Sequence, residues 1–158
     1  MKKTLLALAA VLLLAACSDD EYTVYETVAP RLYVLDKEFV DLTATYAETP
    51  VFTVHVCRSG NSTATVDVAL GVHTAALVAY NYKTDGMLQL LPGNCYRIPE
   101  TRALSTGGAY QLAFDVELDP QAIRTLPAGD YALPLGISSE KAAIDPSLGR
   151  VILGFSVR

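Results

Sequence analysis

Apolar and polar residues alternate along most of the chain after residue 50, the pattern of strands with one buried face. The alternating apolar positions fall into five segments: Phe52, Val54 and Val56; Ala64, Val66, Val68 and Leu70; Leu112, Phe114, Val116 and Leu118; Tyr131, Leu133 and Leu135; Val151, Leu153, Phe155 and Val157. Two further strands are expected at 32–35 and 39–45. The polar residues 59–62 separate the first two segments, which predicts a β-hairpin with a loop of four or five residues.

Two short segments break this alternation and favour helices. Residues 74–82 begin with Thr74, a candidate N-cap. They carry apolar side chains at near-helical spacing, namely Ala75, Leu77, Val78 and Tyr82. At 119–123, Pro120 occupies a first helical position after an aspartate cap, which predicts a single helical turn.

About seven short strands with frequent turns predict a mainly β fold, an antiparallel β-sandwich with one or two short helices. We expect an immunoglobulin-like or fibronectin-like architecture. The chain has no Trp, which excludes the Cys…Trp…Cys core of a true immunoglobulin domain. The similarity therefore concerns architecture only.

The first 16 residues have the form of a signal peptide. Lys2 and Lys3 precede an unbroken apolar run from Leu5 to Ala16. Twelve helical residues span roughly 18 Å, too short for a bilayer core of about 30 Å. The run therefore indicates a cleaved leader rather than a membrane span.

The leader ends in Leu14-Ala15-Ala16-Cys17, which resembles the lipobox of bacterial lipoproteins, and Cys17 is the expected lipidation site. The acidic residues that follow resemble the surface-export signal of Bacteroidetes lipoproteins, although a plain acidic tether is the alternative. We expect three parts: a signal peptide at 1–16, a lipidated tether at 17–29 and one sandwich domain at 30–158. The expected location is the outer membrane, exposed at the cell surface, with its periplasmic face as the alternative.

Charge excludes one class of partner. Without Lys2 and Lys3, ten basic residues stand against 17 acidic ones, a net charge of −7. Proteins that bind nucleic acid through phosphates need clustered Lys and Arg. We therefore expect no nucleic-acid partner.

Catalytic chemistry finds little support in the sequence. The two histidines, His55 and His73, belong to no zinc-binding pattern, and no Gly-x-Ser-x-Gly elbow occurs. Asp115 and Glu117 share one strand face, but it is the face opposite Phe114 and therefore expected in solvent. We expect a protein without enzymatic activity, metal or cofactor.

Two cysteines, Cys57 and Cys95, remain after Cys17 is assigned to lipid. They are 38 positions apart, and closing such a loop would stabilise the fold by roughly 3 to 4 kcal/mol. A disulfide and two separate buried thiols both stay open at this point.

Four segments in order resemble a known family: Cys57-Arg58-Ser59-Gly60, Ala79-Tyr80-Asn81, Leu91-Pro92-Gly93-Asn94-Cys95-Tyr96, and Ala128-Gly129-Asp130-Tyr131-Ala132-Leu133-Pro134-Leu135. Together they look like the adhesin-like N-terminal domain of Bacteroidetes lipoproteins, domain of unknown function 1735. The resemblance covers about residues 31–158. It implies a β-sandwich at the front of surface lipoproteins, many of which serve polysaccharide utilisation.

We interpret the family residues as structural. Gly60 and Gly129 fit turns that need positive φ, and Pro92 and Pro134 fit strand ends or edges. Arg58 suits a turn cap or a surface pair. The aromatic residues Tyr80, Tyr96 and Tyr131, with Asn81 beside the first, suit a core rather than a ligand platform.

The resemblance and the lipobox together imply a non-catalytic lipoprotein that is accessory to glycan binding or adhesion. Its partners would be the membrane, through the N-terminal lipid, and a glycan or another surface lipoprotein. The alternative is a spacer or assembly subunit that pairs with a partner through exposed strand edges.

Overall fold

The computed structural model describes residues 27–99, 102–104 and 110–158. The leader at 1–16, Cys17 and the acidic residues 19–21 lie outside the described residues, so their roles stay predictions. No helix in the described part of the chain is long and apolar enough to cross a membrane.

The described strands form two sheets. Their bounds are β1 Arg31–Val34, β2 Phe39–Asp41, β3 Val51–Ser59, β4 Val66–Val72, β5 Gln89–Leu90, β6 Tyr96–Arg97, β7 Arg102–Leu104, β8 Gln111–Leu118, β9 Gly129–Ser138, β10 Ala143–Ile144 and β11 Arg150–Val157. The first sheet has the order β10-β1-β3-β8-β6, and the second has the order β2-β11-β9-β4-β7 with β5 also beside β9. The mainly β sandwich is confirmed.

The long strand pairs are antiparallel, as expected. β3 pairs with β8 and β9 pairs with β11 in this way along most of their lengths. Three short pairs, β1 with β10, β2 with β11 and β5 with β9, are parallel. Alternation within a strand carries no information on the direction of its neighbour, so the sequence could not reveal them.

One apolar core lies between the sheets. Val54 and Phe114 from the first sheet and Leu133 and Phe155 from the second are fully buried or nearly so, and they belong to one cluster. The rings of Tyr46 and Phe155 meet edge to face at 5.8 Å. Most of the alternating positions therefore face inward as predicted. Ala64 is the exception, because it is exposed and β4 begins only at Val66.

The predicted hairpin of the first two alternating segments is wrong. β3 pairs with β1 and β8, whereas β4 pairs with β7 and β9 in the other sheet. The turn at 59–62 therefore crosses from one sheet to the other. Both strands carry an apolar face toward the same interior, so their pattern is identical for a hairpin and for a crossing.

Helix α1 (Thr74–Thr84) covers the outer face of the second sheet. Its Leu77 packs on Ala132 and Ile152, which explains why β9 and β11 are buried on both faces. The predicted helix is confirmed, but its N-cap is His73 rather than Thr74, without a side-chain capping bond.

The outer face of α1 is also apolar. Val78 is 70% exposed and Tyr82 is 92% exposed, although both contributed to the spacing that predicted the helix. Leu77 alone of those large residues faces the sheet.

Helix α2 (Pro120–Arg124) begins as the sequence predicts. The Oδ1 atom of Asp119 accepts hydrogen bonds from the backbone N–H groups of Gln121 at 2.9 Å and Ala122 at 3.0 Å. These bonds satisfy donors that a helix N-terminus otherwise leaves unpaired. The turn places Ile123 in the core.

Candidate functional site

Arg58 is a buried structural residue rather than an exposed one. The residue as a whole is 6% exposed, and its Nη1 donates to the carbonyl of Ala64 at 2.9 Å. Its backbone N–H bonds the carbonyl of Tyr110 at 2.9 Å. The guanidinium therefore holds the loop that crosses between the sheets after β3. Of the two roles expected for Arg58, a turn cap or a surface pair, it has the first.

Gly60 and Gly129 differ in what they require. Gly60 has φ +91°, and an added Cβ would lie 2.8 Å from the carbonyl oxygens of Val28 and Ala29. The positive φ expected for Gly129 is wrong, since that residue begins β9 opposite Val157. A Cβ there would instead approach the side-chain amide of Gln89 at 3.2 Å.

The family tyrosines pack as expected of core residues. Tyr80 stacks on Phe39 with ring centroids 5.1 Å apart, and Tyr131 donates its hydroxyl to the carbonyl of Pro127 at 3.0 Å. Tyr96 is half-buried and packs against the main cluster. None of the three is a fully exposed platform.

Asn81 holds the loop that follows α1. Its Nδ2 donates to the carbonyl of Leu88 at 2.9 Å, and its Oδ1 accepts from the N–H of Leu88 at 3.2 Å. The side-chain amide of Asn81 therefore holds the segment between α1 and β5 through both its nitrogen and its oxygen. This role explains an asparagine on the sheet-facing side of a helix.

The two family prolines lie in different settings. Pro92 precedes a 3₁₀ turn at Gly93–Cys95, just after β5, near the strand end that was expected. Pro134 lies inside β9, which corrects the expected end or edge position. Its carbonyl accepts from the N–H of His73 at 2.9 Å. The carbonyl and nitrogen of Pro134 therefore both point toward His73, beyond the end of β4, and away from β11. An N–H at this position would not have bonded β11, so its absence costs the sheet no such bond.

The two cysteines are free and buried, which contradicts the disulfide alternative. Cys57 lies opposite Gln111, and Tyr96, next to Cys95, lies opposite Leu118. Those partners are seven residue steps apart along extended β8, which is about 23 Å, whereas a disulfide needs Cα atoms within about 7 Å. Burial raises the pKa of both thiols, so neither is set up as a reactive thiolate.

The histidines lie on different sheets. His55 pairs with Ala113 in the first sheet, and His73 precedes α1 against the second. Among the described residues, no group of three or more His, Cys, Asp or Glu is placed to hold a metal ion.

The exposed carboxylates of β8 are engaged by neighbouring strands. The Oδ1 atom of Asp115 accepts the hydroxyl of Thr53 at 2.7 Å. Glu117 meets Arg97 in a forked pair, with Nη2 at 2.8 and 2.9 Å and Nε at 3.1 Å from its oxygens. Hydrogen bonding to Glu117, then its charge, raises the pKa of Arg97. The predicted solvent face is correct.

A surface cleft runs over this pair. Two adjoining cavities, of about 410 and 320 Å³, share Arg97 and Glu117. We call this cleft the Arg97 groove; its polar and aromatic lining comprises Asn94, Tyr96, Arg97, Asp115, Glu117 and Asp119. It forms where the edge strand β6 meets β8, with Arg97 directly opposite Glu117.

Sequence reasoning did not single out Arg97. The residue follows the Leu91–Tyr96 motif by one position, but its partner is 20 residues away and the pairing depends on strand register. Two signals could have pointed to Arg97: its position next to that motif, and the opposite charge of Glu117 on another predicted strand.

Another cavity of about 410 Å³ lies at the end of β9, lined by Asp67, Ala69, Ser138, Ser139 and Glu140. Among the side chains that the structure describes, its lining has neither an aromatic ring nor a guanidinium group. The Arg97 groove combines charged, amide and aromatic groups, so it is the better candidate for recognition of a ligand.

The fold resembles that of solved Bacteroides proteins. A candidate carbohydrate-binding protein of Bacteroides ovatus shares 23% identity at a TM-score of 0.64, covering 80% of this chain and 36% of that one. EndoBT-3987 of Bacteroides thetaiotaomicron, solved with a Man5GlcNAc product, shares 17% identity at 0.56, covering 79% and 30%. A multidomain Bacteroides ovatus protein that includes domain of unknown function 1735 shares 14% at 0.57, covering 80% and 44%.

This chain therefore spans less than half the length of each of these structures. At such identities the likeness shows the fold alone. No curated protein matches the sequence.

A family model described as a "-like, N-terminal domain" matches residues 20–144, which are 125 of the 158 residues. A solved neighbour carries the domain that the sequence motifs resemble. The chain belongs to this family of N-terminal domains, which is consistent with the resemblance of its motifs to domain of unknown function 1735.

Proposed function

We propose that this protein is a lipid-anchored, cell-surface, non-catalytic domain that assists in the capture of glycans. The observation that carries the proposal is the Arg97 groove, an open cleft that combines charged, amide and aromatic groups. Sugars present hydroxyls that charged and amide groups bond, and C–H faces that apolar side chains cover. The similarity in fold to the candidate carbohydrate-binding protein of Bacteroides ovatus also supports a role in glycan binding.

The arrangement of the β8 carboxylates favours binding over hydrolysis. A glycosidase needs one carboxyl group as a proton donor and a second one as base or nucleophile across the scissile bond. Asp115 and Glu117 instead accept hydrogen bonds from Thr53 and Arg97. Neither is placed as a proton donor to a leaving group.

The strand-edge alternative has less support. The strands that end the two sheet orders, β10, β6, β2 and β7, have two or three residues each. A partner strand would gain few ladder bonds at such short edges, and short edge strands are a common device against edge pairing.

The anchor has a direct test. Replacement of Cys17 by Ala should release the protein from membranes into the aqueous fraction, because one residue carries all the expected acyl chains. Protease treatment of intact cells should degrade the unaltered protein while a periplasmic marker survives. Retention of C17A in the membrane, or protection from protease, would contradict anchoring or surface exposure respectively.

Glycan capture is tested with the lipid-free chain from Ser18 to Arg158, which keeps every described strand and helix. It should bind members of a glycan array, and Arg97→Ala should weaken that binding at least tenfold. Lys83→Ala is a matched control, because Lys83 forms a similar exposed pair with Glu38 at 2.7 Å away from the groove. No binding to any glycan would contradict the proposal.

A further inference from the structure

The charge of the Arg97 groove narrows the class of ligand that it accepts. Among the described residues, three carboxylates line it, from Asp115, Glu117 and Asp119, against one guanidinium, that of Arg97. The described lining therefore carries a net charge of −2 when all four groups are ionised. A uronate or sulfate group entering this cleft would meet like charge at short range.

The available hydrogen-bonding groups suit hydroxyls. Arg97 uses Nε and Nη2 for Glu117, which leaves the two N–H groups of Nη1 to donate to a ligand oxygen. Each carboxylate keeps lone pairs beyond the bonds it already accepts, and these can accept sugar O–H groups. Neighbouring donors and acceptors of this kind match vicinal hydroxyls, which can both donate and accept.

The apolar lining suits the C–H surface of a sugar. Pro50, Tyr96 and Pro120 line one cavity, and Ile98 and Pro99 line the other. Tyr96 is half-buried rather than fully presented, so the groove offers edges and small faces instead of a broad stacking platform. Two adjoining cavities of about 410 and 320 Å³ give room for more than one sugar unit, which suits a segment of a longer chain.

We propose that the Arg97 groove binds a segment of uncharged glycan and discriminates against glycans that carry uronate or sulfate groups. The inference rests on the proposed glycan function and adds the location and the ligand class.

The test measures affinity of the Ser18–Arg158 chain for two sets of probes by calorimetry. Gluco-, xylo- and manno-hexasaccharides form the uncharged set, and hexagalacturonate and a chondroitin sulfate hexasaccharide form the anionic set. We expect at least one uncharged probe to bind at least tenfold more tightly than both anionic probes. Anionic probes that bind as tightly as the best uncharged probe would overturn the inference.

Variants locate the site. Arg97→Ala should weaken binding of the uncharged probe at least tenfold, whereas Lys83→Ala should leave its affinity unchanged. The isosteric double variant Asp115→Asn, Glu117→Gln should improve binding of the anionic probes at low salt, because it removes two negative charges. All these side chains are exposed, and thermal unfolding followed by circular dichroism checks that each variant folds.

The outcomes separate the two proposals. Absence of binding to every probe and to the glycan array overturns both the glycan function and this inference. Binding of an uncharged glycan that survives Arg97→Ala overturns the inference alone and leaves the function standing.

Discussion

Gly60 is constrained in two independent ways. Its φ of +91° lies in a region that side chains rarely adopt, and carbonyl oxygens of Val28 and Ala29 occupy the space of a Cβ. Backbone strain of this kind costs about 1–3 kcal/mol. The Arg-Ser-Gly segment therefore marks the place where residues 28 and 29 cross the loop after β3.

We predict that Gly60→Ala lowers the free energy of unfolding by about 1–3 kcal/mol, measured by urea denaturation. Gly71→Ala is the control, since Gly71 lies in β4 and an added Cβ there meets nothing within 4 Å. Equal stability of the two variants would show that the left-handed conformation is not required.

Asp145 organises the turn between β10 and β11. Hydrogen bonds from the hydroxyl and the N–H of Ser147 hold the pKa of Asp145 below its usual value, with help from the N–H of Leu148 and the charge of Arg31. The same turn bonds β1, because the N–H of Val34 donates to the carbonyl of Leu148 at 2.7 Å.

A lowered folded-state pKa stabilises the fold above the unfolded value of 3.8, and that stability is lost as the pH falls through the folded pKa. We predict that Asp145→Ala unfolds at a lower urea concentration than the unaltered protein at pH 7. The difference should shrink once the pH drops below 3.8. A difference that stays constant down to pH 2 would contradict this assignment.

At the scale of elements, α2 depends on its N-cap residue, Asp119. Loss of a side-chain N-cap costs about 0.5–2 kcal/mol. We predict a loss of this size for Asp119→Ala in thermal or urea unfolding, whereas Asp119→Asn should lose little because its amide oxygen also accepts the bonds. Destabilisation by Asn as large as that by Ala would assign the effect to charge rather than to capping.

Strands were predictable from sequence where one face is buried. The period of two placed β3, β8 and β11 correctly, because every second residue of each contributes to the core. The pairing of β3 with β4 failed, because the pattern records which face is buried and not which strand lies beside it. The predicted strand over Tyr131–Leu135 contained Pro134, but the gap beside Pro134 that tolerates a proline was hidden, since it depends on where β4 ends.

At the scale of the whole molecule, the sandwich class followed from many short alternating strands. The Arg97 groove did not, because its two central residues meet only through the β6–β8 register. The same long-range geometry separates Cys57 from Cys95, so spacing alone could not decide whether they pair. Local pattern fixes elements, whereas sites arise from contacts between distant segments.

The surface of the molecule presents two different faces. The outer side of α1 exposes Val78 and Tyr82, whereas the Arg97 groove exposes charged and amide groups at the end of the first sheet. We assign glycan contact to the groove and not to the helix. The two regions lie on different sheets and therefore give separable signals.

The most direct measurement of this assignment is amide chemical-shift mapping of the ¹⁵N-labelled Ser18–Arg158 chain titrated with the uncharged gluco-, xylo- and manno-hexasaccharides. We predict saturable shifts confined mainly to residues 94–99 and 115–120. Shifts confined to the outer face of α1, or no shift with any of the three probes, would contradict it.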